Sequence, residues 1–406
     1  MPNDAPYNPN QSVDAEGSDK KSTQRDLIVA CAENVEFWHD ADRTAYATMN
    51  SGTHSEHHLV RSRLFRDWLG YAYFIKYRGA PSAQATEDAL RVLEAMAKFD
   101  GREHTPAVRI GEYDGNIYID ICDDGWRAIE VTPTSWRVVD NPPVRFIRPK
   151  GMRSLPTPIN GGSVDELRPF VNVFDDSQFK LIVGWLLMAL CPRGPYPILC
   201  LGGEQGSAKS STARVLRGLV DPSAAPLRAP PREERDLLVA ARNSWVVSFD
   251  NLSRVPEWLA DALCRLATGG GYSARQLYSD AEEVIFEAQR PVTLNGIPDL
   301  ATRGDVADRA IVVALPTISD TSRIEEEDFW REFHAKASRI LGALGREPQR
   351  GPPYDEALSV RDHPLRGPWK VCGARVVSQR IPSTHTRPCQ GVPSPLILHN
   401  SIRPGG

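Results

Sequence analysis

The chain has 406 residues, 41% apolar and 25% charged, the balance of an ordinary soluble globular protein long enough for two or more domains. Its net charge of −4 excludes a global attraction to nucleic acid, so any DNA contact needs a local basic surface. Seven scattered cysteines without a C-x-x-C pair argue against a zinc site or a disulfide framework and point to a reducing, cytoplasmic setting.

The opening "MPNDAPYNPNQSVDAEGSDKK" lacks an apolar core, so it does not read as a signal peptide, and residues 1–22 are expected to form a disordered arm. Residues 23–152 are expected to form a smaller α+β domain. In "RSRLFRDWLGYAYFIKY" the apolar residues Leu64, Trp68, Tyr71 and Ile75 have helical spacing. After "GAP", Ser82 is placed to cap a second helix through Ala97, with Ala89, Leu90, Leu93 and Met96 on one face. The pair reads as a packed helical hairpin, with a DNA-binding helix-turn-helix as the alternative. Before it, "THSEHH" (53–58) reads as a solvated loop rather than a metal site. After it, "AVRIGEY", "NIYIDIC", "WRAIEVT", "WRVVD" and "VRFIRP" alternate like short strands between Gly, Asp and Pro turns. "YIDICDD" is read as a strand with an Asp-rich turn, since Asp120 and Asp123 would face opposite sides of a strand. Residues 153–162, with two prolines and two glycines, read as a linker.

From 163 to 345 the texture is that of an α/β domain. A helix over 177–190 contains the longest apolar run, which is too short to span a bilayer, so no membrane association is expected. Apolar strands then alternate with helical stretches: "ILCL" (198–201), "WVVSFD" (245–250), "PVTLN" (291–295) and "AIVVAL" (310–315). Residues 346–406 are rich in Pro, Gly and Arg without a sustained period. They read as a disordered or irregular tail with the look of an out-of-frame end.

Between the first strand and its helix lies "GGEQGSAKSS", a phosphate-loop pattern with one substitution: Ala208 stands where G-x-x-x-x-G-K-[ST] has its second glycine. Gly203, Gln205, Gly206, Ser207, Ala208, Lys209, Ser210 and Ser211 are the candidate nucleotide-binding residues. Backbone N–H groups at a helix N-terminus cradle phosphates, the lysine adds charge and the hydroxyl takes Mg²⁺. The alternative is a glycine-rich turn that binds nothing. Ala208 costs about 1 kcal/mol only if its backbone needs a positive φ. Asp250, at the end of its apolar strand, is the candidate second Mg²⁺ ligand, against a plain turn-capping Asp. Asn295 ends its strand, where a polar side chain reaches toward a γ-phosphate or an attacking water; a turn Asn before Gly296 is the alternative. Arg309, with Arg303 just before it, is a candidate finger on a neighbour's ATP or else an ion-pair partner of Asp305 or Asp308.

In this order, "GGEQGSAKSS", "VVSFDN", "LATGGGYSARQLYSD", "PVTLNG" and "ATRGDVADRAIVVALP" resemble the superfamily III helicases of the AAA+ class, the motors of viral, phage and plasmid primase-helicases. The wording is closer still to bacterial, often mobile-element, helicase-like ATP-binding proteins. The resemblance covers roughly 165–345 and implies a P-loop AAA+ three-layer ATPase domain. By it, Lys209 and Ser210 are Walker A residues, Asp250 the Walker B acid, Asn295 sensor 1 and Arg309 the arginine finger. It implies ATP and Mg²⁺ as cofactors, single-stranded DNA as partner, and a ring homo-oligomer, a hexamer, in mobile-element replication. It also implies a DNA-gripping hairpin with Arg275 and Tyr278 as contacts. Three departures stand out. Asn251 follows Asp250 where a glutamate polarises water, leaving hydrolysis slow or its base supplied elsewhere, for example by Glu204. The hairpin tip "YSDAEE" is acidic, and the tail does not continue a helical lid. These departures favour an alternative: a nucleotide-dependent switch or scaffold that unwinds nothing.

Overall fold

The computed structural model describes residues 22–270, 272–275, 283–286, 289–296, 300, 301 and 303–346. The first element, α1 (Gln24–Ala30), begins at a capping box in which Thr23 and Asp26 satisfy each other's backbone N–H. Strands β1 (Glu36–His39), β2 (Ala45–Asn50) and β3 (Ser55–Leu59) pair antiparallel in series. The helical hairpin α2 (Arg63–Tyr77) and α3 (Ala83–Phe99) follows, each helix capped by a serine, Ser62 and Ser82. It returns the chain to β4 (Arg102–Glu103), which adds to β1 in parallel.

Two expectations are corrected here. The helix over 63–77 forms, but it buries Phe65, Leu69 and Tyr73, while Leu64, Tyr71 and Ile75 are exposed. Both stripes have helical spacing, and contact with the sheet and α3 selects the other one. On α3 the buried set is Ala89, Leu90, Leu93 and Ala97, while Met96, expected on that face, is exposed. The histidine stretch is not a solvated loop: it is largely β3, with Glu56 between His54 and His58 at 3.3 and 3.0 Å and His57 buried.

Next come β5 (Pro106–Ala107) and an antiparallel meander, β6 (Ile110–Tyr113), β7 (Asn116–Asp120), β8 (Ala128–Val131) and β9 (Trp136–Val139). The short β10 (Arg145–Phe146) pairs with β5. As the alternation predicts, β7 ends at Asp120 and turns. Ile110, Ile119, Ile129 and Val131 of the meander share one hydrophobic core with the helices of the second half. The stretch 153–162 runs extended across this junction, with Leu155 buried and Ile159 N–H donating to the Ser338 carbonyl.

The second half opens with a 3₁₀ turn, Val164–Phe170, capped by Ser163, and α4 (Asp176–Ala189), capped by Asp175. Then follow β11 (Ile198–Gly202), α5 (Lys209–Val220), α6 (Glu234–Arg242), β12 (Val247–Leu252) and α7 (Glu257–Thr268). A two-stranded hairpin, β13 (Tyr272–Arg275) and β14 (Glu283–Phe286), precedes β15 (Val292–Gly296), α8 (Gly304–Ala307), β16 (Ala310–Ala314) and the long α9 (Glu326–Leu344). Four strands form a parallel sheet in the order β12-β15-β11-β16. Along β11 the side chains alternate. Leu199 and Leu201 join the core of α4, α5 and α9, whereas Ile198 and Cys200 join that of α6 and α7. Helices thus cover both faces, as a buried parallel sheet requires. Among the described residues no helix is long and apolar enough to cross a membrane.

Candidate functional site

The glycine-rich loop leaves the carboxyl end of β11 and enters α5 at Lys209. Its shape depends on two glycines. A Cβ on Gly203 would lie 2.6 Å from Ser207 Oγ and 2.7 Å from the Leu315 carbonyl, so only glycine fits. Gly206 has φ +82°, in the left-handed region. Ala208 is the helix N-cap, with φ 60° and ψ 30°. The substituted position therefore needs a positive φ, and an alanine holds it at a cost of about 1 kcal/mol. Lys209 Nζ donates to the Gly203 and Glu204 carbonyls at 2.8 and 2.7 Å and lies 3.4 Å from Ser207 Oγ, so its charge sits within the loop.

Ser210 Oγ, one residue into α5, donates to Asp250 Oδ1 at 3.0 Å. The two are 40 residues apart in the chain. They meet because β12 runs parallel to the loop strand and ends on the same edge of the sheet. Between them lies β15, whose Asn295 pairs in register with Leu201. Asn295 is buried, and its Oδ1 accepts the Asn251 N–H at 2.9 Å. Its Nδ2 is buried with no hydrogen-bond partner among the described residues. Asn251 has φ 57° at a register shift of β12, which turns its side chain to the exposed surface beside Asp250.

Arg309 is elsewhere. Its carbonyl accepts the Ile198 N–H at 2.9 Å, at the amino end of β11, while the loop leaves the carboxyl end. A strand's length, roughly 13 Å, separates it from its own loop. Its Nη1 donates to the Asp305 carbonyl at 2.9 Å. Arg303 makes the ion pairs, with Asp305 and Asp261 at 3.0 and 2.9 Å. Arg275 closes β13, but its side chain and the whole of Tyr278 lie outside the described residues.

Sequence reasoning missed three contributors. The segment after β16 straps over the loop: Leu315 N–H donates to the Gly202 carbonyl and Ile318 N–H to the Gly206 carbonyl, at 2.8 and 3.1 Å. Asn172 bridges loop and strap, donating to the Ser207 and Pro316 carbonyls at 3.1 and 2.6 Å. Arg323, at the strap's end, brings its guanidinium within 3.2 Å of where a Gly206 Cβ would stand, and it pairs with Asp320 at 3.1 Å. No motif signals these contacts. A polar residue next to an apolar helix and a lone arginine in a loop are common everywhere.

Residues 164–346 match the family model described as AICE_RepA, actinomycete integrative conjugative element replication protein. That stretch holds the loop, Asp250, Asn295, Arg309 and the strap. No curated protein matches the chain. Among solved structures, the chain is similar to the apo NrS-1 C terminal region (305-718), at 12% identity and TM-score 0.44, over 83% of this chain and 71% of that one. The A form of the NrS-1 C terminal region gives 12% identity and TM-score 0.44 over 79% and 68%. JCV helicase, bound to a thiazolopyridinyl-phenoxyphenyl acetamide, gives 13% identity and TM-score 0.28 over 45% and 51%.

Proposed function

We propose that the chain is a Mg-ATP-dependent AAA+ motor of mobile-element DNA replication, built on a P-loop three-layer domain. The observation that carries this reading is the 3.0 Å contact of Ser210 with Asp250 beside the Lys209 ammonium, at the open edge of a parallel sheet. The donor set fits Mg-ATP: a hydroxyl and a carboxylate together for the metal, and an ammonium in a glycine loop at a helix N-terminus for the phosphates. Mg-ATP, when bound, supplies the reactive phosphoanhydride. In this reading Lys209 and the loop N–H groups hold the phosphates, Ser210 and Asp250 hold the metal, and the unpartnered Nδ2 of Asn295 positions a group at the strand end. Arg309, too far from its own loop, acts on a neighbour's nucleotide, which requires a ring homo-oligomer. The family match at 164–346 supports a role in replication of a conjugative element, and single-stranded DNA is the substrate we assign.

A second reading, a nucleotide-dependent switch without unwinding, is favoured by Asn251, which puts an amide where hydrolysis wants a carboxylate. ATP turnover by the purified chain, with and without single-stranded DNA and beside Lys209→Ala, separates the two. DNA-stimulated turnover that is lost in the variant supports the motor. Binding without turnover supports the switch.

A further inference from the structure

Away from the phosphate loop, the first half holds a cavity of about 220 Å³ between the β2–β3 end of the first sheet and the 141–146 segment. Its floor includes the buried rings of His57, Trp126 and Phe146. Its rim carries Asn50 and Asn141, both exposed.

The electrostatics of this cavity select a neutral ligand. Arg145, on its wall, is committed: it forms a two-pronged pair with Glu36 at 2.8 and 3.1 Å and donates to Thr48 Oγ1 at 2.9 Å. Its guanidinium also covers the Trp38 ring, 5.0 Å from the centroid. The His57 Nδ1 lies 2.9 Å from the same threonine hydroxyl, and burial next to Arg145 holds its pKa down at about 4, so the ring is uncharged. Among the described residues no uncommitted cation lines the cavity to hold a triphosphate. The volume is below the usual range for drug-sized ligands, about 300–1,000 Å³, and suits one ring system.

The rim supplies a donor and an acceptor. The Asn50 Oδ1 accepts from Ser55 Oγ at 2.8 Å, which leaves the Asn50 amide N–H groups to donate. The Asn141 Nδ2 donates to the Thr53 carbonyl at 3.1 Å, which leaves its carbonyl oxygen to accept. The walls are fixed: Arg148 lies 3.8 Å over Trp126 and is itself held by Asp120 at 2.7 Å. An aromatic floor in which the His57 and Trp126 rings meet edge to face at 86°, a donor and acceptor at the mouth, and no net charge suit an unpaired base, since aromatic rings take base faces and amides read base edges. The floor is buried, so a base still paired in a duplex does not reach it.

We propose that this cavity binds one unpaired nucleobase. The proposal does not depend on ATP binding. It is tested with the full chain carrying Lys209→Ala, without nucleotide. Binding of labelled oligothymidine, oligodeoxyadenosine and an abasic strand of equal length is measured by fluorescence anisotropy, and that of free thymidine and deoxyadenosine by calorimetry. The rim pair Asn50→Ala with Asn141→Gly is compared, its fold checked by thermal melting; glycine keeps the positive φ of position 141. The expected result is a loss of about tenfold in affinity for a base-bearing strand, within the range of single base contacts, and no change for the abasic strand. Rim-dependent binding of a free nucleoside without rim-dependent strand binding keeps the base site but assigns it to a free nucleoside. Affinities that the rim pair leaves unchanged for strands and nucleosides alike overturn the proposal.

Discussion

Arg109 and Asp221, 112 residues apart, form a buried ion pair at 3.0 Å with side chains 0% and 4% exposed. Asp221 ends α5, the helix that begins at the phosphate loop, and its Oδ2 accepts the N–H groups of Trp245 and Val246, which lead into β12. Arg109 also donates to the carbonyls of Asp120, Arg153 and Pro222. One guanidinium thus joins the meander, the 153–162 stretch and, through Asp221, the end of α5 and the entry to β12. Arg109→Met leaves the buried Asp221 carboxylate with only the more distant Arg217, at 3.5 Å, and is expected to cost about 3 kcal/mol in urea unfolding. Adding Asp221→Asn is expected to cost less than the sum of the two single changes.

Ala208 carries a second prediction. At φ 60° it bears a strain that glycine would relieve, partly offset by glycine's greater freedom when unfolded. Ala208→Gly is expected to leave stability unchanged or raise it by up to about 1 kcal/mol and to keep nucleotide binding. Ala208→Val, whose branched Cβ resists the left-handed region, is expected to abolish binding while the rest of the chain stays folded. Thermal melting and nucleotide titration check both. A valine variant that binds as tightly as the native chain would show that the loop opens into another conformation.

Arg323 carries a third. It lies against Gly206 and is shared with the exposed Asp320, so bound phosphate competes for it. Arg323→Ala is expected to weaken ATP roughly tenfold, the size of one charged hydrogen bond discounted for exposure. Asp320→Ala, which frees the guanidinium, is expected to tighten it. Isothermal titration measures both, and an unchanged affinity in Arg323→Ala would leave the arginine a strap anchor only.

What the sequence disclosed of the site follows from its local character. The loop occupies consecutive residues, and Asp250 and Asn295 each end an apolar strand, so motif and period suffice to find them. That these strands are parallel neighbours, with Asn295 between the other two, follows from pairing over long separations. The strap was invisible for the same reason: Asn172 and Pro316 are 144 residues apart. In the first half, β2 is buried along five of its six residues, so it shows no alternation to read. On α2 two apolar stripes compete, and the sheet decides between them. Ala208 was legible as a departure, but its left-handed backbone was not, since nothing in "GSAKS" distinguishes a strained alanine from a relaxed one.

Ser210, Asp250 and Lys209 together form the Mg-ATP site that we propose. Its most direct test is calorimetric titration of ATP with and without Mg²⁺ into the native chain, Lys209→Ala and Asp250→Asn. We expect binding in the native chain that Mg²⁺ strengthens, no binding in Lys209→Ala, and in Asp250→Asn a weak affinity that Mg²⁺ no longer improves. Equal ATP affinity in all three proteins, or none in the native chain at millimolar ATP, would contradict it.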